Sequence, residues 1–122
     1  MEKIMYETSY CKVEYLEEKN AIFCEWKNFC QGNDYRNPLK YGAELIEKHK
    51  ATTWITDTSN GFESEEADTK WLIEEFVPTM LESSVEKIIF IIQNDSPLMS
   101  EIMGQKEALG KFFEVVLVEK LK

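Results

Sequence analysis

Hydrophobic and polar positions alternate with period two from Ser9 to Leu16, placing Cys11, Val13 and Tyr15 on one face. That spacing predicts a half-buried strand with those three residues inward. A second strand follows over Ala21–Lys27, with Ile22, Cys24 and Trp26 on one face and Ala21, Phe23 and Glu25 on the other. Only Glu17-Glu18-Lys19-Asn20 separates the two, so they are expected to form an antiparallel hairpin. The period then changes. Tyr35, Leu39, Ala43 and Ile46, flanked by Gly42 and Leu45, recur at helical spacing and predict a helix over about Asp34–Lys50. Pro38 fits that helix if Asn33 or Asp34 is the cap, because first-turn amides have no intrahelical partner. Gly42, costly mid-helix, is explained by a close approach to the sheet.

The β-branched and aromatic run Thr53–Thr58 predicts a third strand, joined to the hairpin by a right-handed crossover. Ser64 reads as the N-cap of a second helix whose first turn is acidic, with Leu72, Ile73, Phe76, Val77 and Met80 as its apolar stripe. Pro78 is expected to kink that helix or end its regular part. The run Glu86–Ile92 predicts a central strand buried on both faces. Ser96 and Pro97 predict a helix start, followed by a buried stripe of Leu98, Met99, Ile102, Met103 and Leu109. Phe112–Val118 closes the chain as a strand. The resulting order is β-β-α-β-α-β-α-β in a single domain over residues 1–122, an α/β fold opening with an antiparallel hairpin.

Composition narrows the function. The formal charge of −9 opposes binding to phosphate backbones and anionic membrane surfaces, so no nucleic-acid partner is expected. No apolar run reaches the roughly 20 residues of a transmembrane helix, and no secretory signal is read, so a cytoplasmic location is expected. Cys11, Cys24 and Cys30 fit no zinc or redox spacing, and His49 stands alone near a helix end. Neither a metal nor another cofactor is expected, and no nucleophile–base pair can be assembled.

The opening hairpin, a strand ending Trp54-Ile55-Thr56-Asp57, a helix that carries Trp71 and then Glu74-Glu75-Phe76-Val77-Pro78, and the strand Lys87–Ile92 together resemble the STAS-like (SpoIIAA-like, STAS/SEC14-type) family of small bacterial proteins, the two tryptophan-bearing segments being the most specific. The resemblance spans roughly Tyr10–Val118. It implies a mixed five-stranded sheet with helices packed on it and no established enzyme activity. The better-known relatives, anti-sigma factor antagonists, bind a partner kinase and are switched by phosphorylation of a serine at the start of the second main helix. Ser64 is the nearest position for such a switch, although the Asp-Ser-Ser-Gly-like stretch of the antagonists is missing.

The expected function is therefore a non-enzymatic binding or regulatory module. Its candidate surface is the loop after the third strand, where open α/β sheets bind ligands. The residues are Asp57, Ser59, Asn60 and Ser64, with Trp54 and Trp71 nearby. Asp57 has two readings: a ligand contact, or an Asx-turn accepting the amide of Ser59 or Asn60. A protein partner with a basic patch would suit the chain's acidity. The alternative is a carrier for a small apolar or lipid-like molecule, which needs an apolar cavity beside Trp54 and Trp71 of at least about 300 Å³. Whether the chain forms a homodimer is left open.

Overall fold

The structure, a computed structural model, describes residues 5–60 and 65–120. Its sheet has six strands in sequential order: β1 (Met5–Glu7), β2 (Cys11–Leu16), β3 (Ala21–Trp26), β4 (Thr53–Asp57), β5 (Lys87–Ile91) and β6 (Glu114–Val118). The first three run antiparallel and the last three continue parallel from β3. The sheet is mixed, as expected, but it has six strands rather than five. The strand missing from the sequence reading is β1. Three residues are too few to display an alternation. It forms because the turn at Thr8 folds it back on β2: the Thr8 hydroxyl accepts the amides of Tyr10 and Cys11, and Tyr6 comes opposite Val13.

The hairpin stands where its pattern put it, with a 3₁₀ turn at Glu17–Lys19 and Asn20 in the left-handed region. Helix α1 (Asn33–His49) follows, capped by Gly32 at φ 61°, a conformation that a residue with a side chain rarely adopts. The cap is one residue earlier than expected. Pro38 therefore sits in the second turn, where its missing N–H leaves a gap opposite the Asp34 carbonyl.

The next helical arm is not regular. It consists of α2 (Glu66–Trp71), a π-helical turn (Leu72–Phe76) and α3 (Val77–Leu81). Pro78 cannot donate to the Glu74 carbonyl, and the Val77 amide instead bonds Leu72, five residues back. The extra residue in that turn rotates the side chains of α2 about the axis relative to those of α3. Phe76 and Met80 face the core, but Ile73, expected on the same stripe, is 60% exposed. The N-cap is Glu65, not Ser64, which lies outside the described residues.

Helix α4 (Met99–Leu109) begins later than Ser96-Pro97 suggested. Ser96 still acts locally, since its hydroxyl accepts the Leu98 amide and its carbonyl the Met99 amide, but these close a turn ahead of the helix. Ile102 is buried, while Met103, one residue and about 100° further round, is 48% exposed, against expectation. Strand β6 starts at Glu114; Phe112 is exposed and Phe113 buried.

Sequential strand order combined with right-handed crossovers places every crossover on one side of the sheet. The burial pattern agrees. One continuous core joins Val13, Ile22, Cys24, Trp54, Ile88 and Phe90 to Leu39 and Ile46 of α1, Phe76 and Met80 of the second arm, and Ile102 of α4. Among the described residues no helix packs on the opposite face, where Ala21, Ile55 and Ile91 form a separate small cluster. The expectation that β5 is buried on both sides holds on the helix side; on the other, Ile89 is only half-buried. None of the described helices is long and apolar enough to cross a membrane.

All three cysteines are free and buried in the helix-side core, with the Cys11 and Cys24 sulfurs 3.6 Å apart. Burial, then the neighbouring Cys11, pushes the Cys24 thiol well above its ordinary value, and burial pushes Cys30 up to about 12. An unfolded cysteine ionises near 9.0, so the neutral Cys30 thiol contributes stability that is complete below that pH and is lost as pH rises toward 12. Two results are expected. A thiol reagent at neutral pH leaves the native protein unmodified but labels all three cysteines in denaturant. Denaturation midpoints fall between about pH 9 and 12, more gently in Cys30→Ala.

Candidate functional site

Asp57 ends β4, and its carboxylate accepts the Ser59 amide at 2.9 Å. This is the Asx-turn reading: Asp57 shapes its own loop. Ser59 and Asn60 are exposed beyond it, and the rest of the loop, Gly61–Ser64, lies outside the described residues. Asp57 points away from the helices, because its neighbours Thr56 and Thr58 point toward them into a cavity.

That cavity lies between sheet and helices. Trp54 and Thr56 of β4 and Ile88 and Phe90 of β5 form its floor, along the helix-side face of both strands. Leu72, Phe76 and Met80 roof it, and Ile102 and Gln105 of α4 close one side. Its volume is about 110 Å³, well short of the roughly 300 Å³ expected of a carrier for a lipid-like molecule. The lining is mostly apolar. The Thr58 hydroxyl is already engaged, donating to the Ile91 carbonyl at 2.7 Å, and Thr56 lies beside Cys24 on the neighbouring strand.

Trp54 and Trp71 take different parts. Trp54 is buried, its six-membered ring pressed so closely on α1 that a Cβ at Gly42 would lie 2.5 Å from it. This is the close approach inferred for Gly42. Phe76 meets Trp54 edge-on at 5.5 Å and stacks on Trp71 at 5.9 Å. Trp71 thus stands behind Phe76 and does not line the cavity, contrary to the pocket expected beside both tryptophans.

Trp71 belongs to a second constellation that sequence reasoning missed. Asp68 is only 2% exposed. One carboxylate oxygen accepts Arg36 Nε at 2.9 Å and the other accepts the Gly32 amide at 2.9 Å. The Arg36 guanidinium also lies 5.5 Å from the centre of the Trp71 ring. The start of α2 is thereby fastened to the start of α1, with the roof of the cavity hung from the joint. In sequence Asp68 looked like one more acid suited to a helix N-terminus. The one signal for it was Arg36, the only arginine in the chain, since arginine is favoured where a carboxylate must be held by a fork of donors.

No cluster of three or more His, Cys, Asp or Glu side chains suited to a metal occurs among the described residues. Compared with protein-family models, with curated proteins and with solved structures, the chain matches none. The STAS-like resemblance accordingly rests on the sequence pattern alone: the opening hairpin, the two tryptophan-bearing segments and the strand pattern over residues 87–92.

Proposed function

We propose that this protein is a non-enzymatic binding module of STAS-like type that takes a small apolar molecule into the cavity above Trp54. The observation that carries the reading is the cavity's lining: a mostly apolar recess between the sheet and its helices, with a few polar groups at one side. Its volume sets the ligand class. An apolar cavity of roughly 150 Å³ takes benzene, so about 110 Å³ suits a short aliphatic group or, with slight movement of the roof, a single ring. A whole lipid chain does not fit. Gln105 and Glu101, both on α4 and both lining the cavity, favour a ligand whose one polar group stays at that side.

The test is ligand-observed NMR with indole, phenol, toluene and hexanol. Saturable binding is expected for at least one, with protein resonances of Trp54, Phe76 and Ile102 shifting together. Met80→Trp, which fills the space, should abolish binding while leaving the far-ultraviolet spectrum intact. Shifts confined to the surface, or binding undiminished in Met80→Trp, would refute the reading.

A further inference from the structure

We infer that the helix-free face of the sheet is a docking surface for a partner's amphipathic helix with basic residues along its apolar stripe. The inference is independent of the cavity, which lies on the opposite side.

Strands β3 to β6 are parallel. Parallel sheets are found almost always covered on both faces, because their strands are apolar on both. Here all the described helices cover the same one. Strand register arranges the other face in rows. The central row reads Glu14, Phe23, Ile55, Ile89 and Val116 from β2 to β6. The row toward the carboxyl ends of the parallel strands reads Lys12, Glu25, Asp57, Ile91 and Val118. An apolar band therefore crosses the sheet, with Phe23, Ile89 and Val118 half-buried at its rim around Ile55 and Ile91, which are buried at its centre. Three strand spacings, from β3 to β6, make it about 14 Å wide, close to the length of a nine- or ten-residue helix at about 1.5 Å per residue.

Charge selects the occupant. Lys12 ion-pairs Glu14 at 3.2 Å and also faces Glu25, its register partner on β3, leaving more negative than positive charge on this face. Glu25 and Asp57 stand side by side on adjacent strands, and among the described residues no ion pair joins either to a cation. Two neighbouring carboxylates beside an apolar band fit Lys or Arg flanking an apolar stripe. A second copy of this chain would bring the same carboxylates and another formal charge of −9 to the interface.

The probe is a synthetic eighteen-residue helix with a leucine stripe flanked by lysines, matched with the same peptide carrying glutamates. Titrated into the full chain, the lysine peptide should shift the backbone amides of Phe23, Ile55 and Ile89 and leave those of α1 and α4 unmoved. The doubly neutralised variant Glu25→Gln/Asp57→Asn keeps the Asx-turn acceptor, so the fold is retained. Its affinity for the lysine peptide should fall about tenfold, the scale expected for losing two solvent-exposed charge pairs. Three results would overturn the inference: no binding at millimolar peptide, equal binding of the glutamate peptide, or shifts that map to the helix layer. Sedimentation showing a dimer that Ile89→Lys dissociates would also overturn it, by naming a second copy as the occupant.

Discussion

Asp68→Ala is expected to destabilise the protein by about 2–3 kcal/mol, the largest effect of any single polar substitution. The carboxylate is buried, and it neutralises Arg36 while accepting the Gly32 amide. Removing it leaves a cation and an N–H without their acceptor, and that desolvation penalty makes breaking a buried pair expensive. The value sits below the usual range for fully buried pairs because the Arg36 side chain keeps 29% of its exposure and can recruit water. Asp68→Asn should cost less, since an amide oxygen can still accept one of the two donors. Arg36→Lys should not be neutral, because the bonding atom is Nε, which lysine does not have at that position. Urea denaturation of the two single alanine variants and the double variant checks this. The double variant should lose less than the sum, with a coupling of about 1–2 kcal/mol. Strict additivity would show that the two side chains do not stabilise each other.

The second large effect concerns Gly42. A methyl group there would lie 2.5 Å and 2.7 Å from two carbons of the Trp54 ring, far inside contact distance. Trp54 cannot retreat easily, since Phe76 packs edge-on against it. Gly42→Ala gains about 1 kcal/mol of helix propensity, but overpacking a filled core costs typically about 1–3 kcal/mol. A net loss of up to about 2 kcal/mol is expected, a fall in Tm of up to roughly 8 °C for a chain of this size. Gly42→Leu should prevent folding at 37 °C. The decisive variant is Gly42→Ala with Trp54→Phe. Shortening the ring removes the clash, so the double variant should be more stable than the sum of the two single losses predicts. If Trp54→Phe gives no relief, the glycine is needed for another reason.

These two sites differ in how far the chain announced them. Gly42 stands conspicuously inside an apolar helical stripe, and a glycine there asks for a close neighbour. The tryptophan that supplies it lies 12 positions later, and only the crossover brings it over α1. Asp68 carried no such signal. An acid in the first turn of a helix is ordinary, and its burial depends on Arg36 and Gly32, which lie 32 and 36 residues away. Ile73 and Met103 failed for a related reason. An apolar stripe was extended over them by period alone; a π turn beside Pro78 turned Ile73 outward, and Met103, about 100° round α4 from the buried Ile102, faces away from the core.

Read as a string, the chain determined its α/β class, the opening hairpin, the positions of the main strands and helices, and the inward faces of the hairpin. These follow from side-chain period and local turn chemistry, which act over a few residues. Tertiary structure alone decided the short edge strand β1, the gathering of the helices on one face, the cavity above Trp54, and the Arg36–Asp68 joint. Each of these requires groups tens of residues apart to meet, and such meetings are set by strand order and crossover hand rather than by any local pattern.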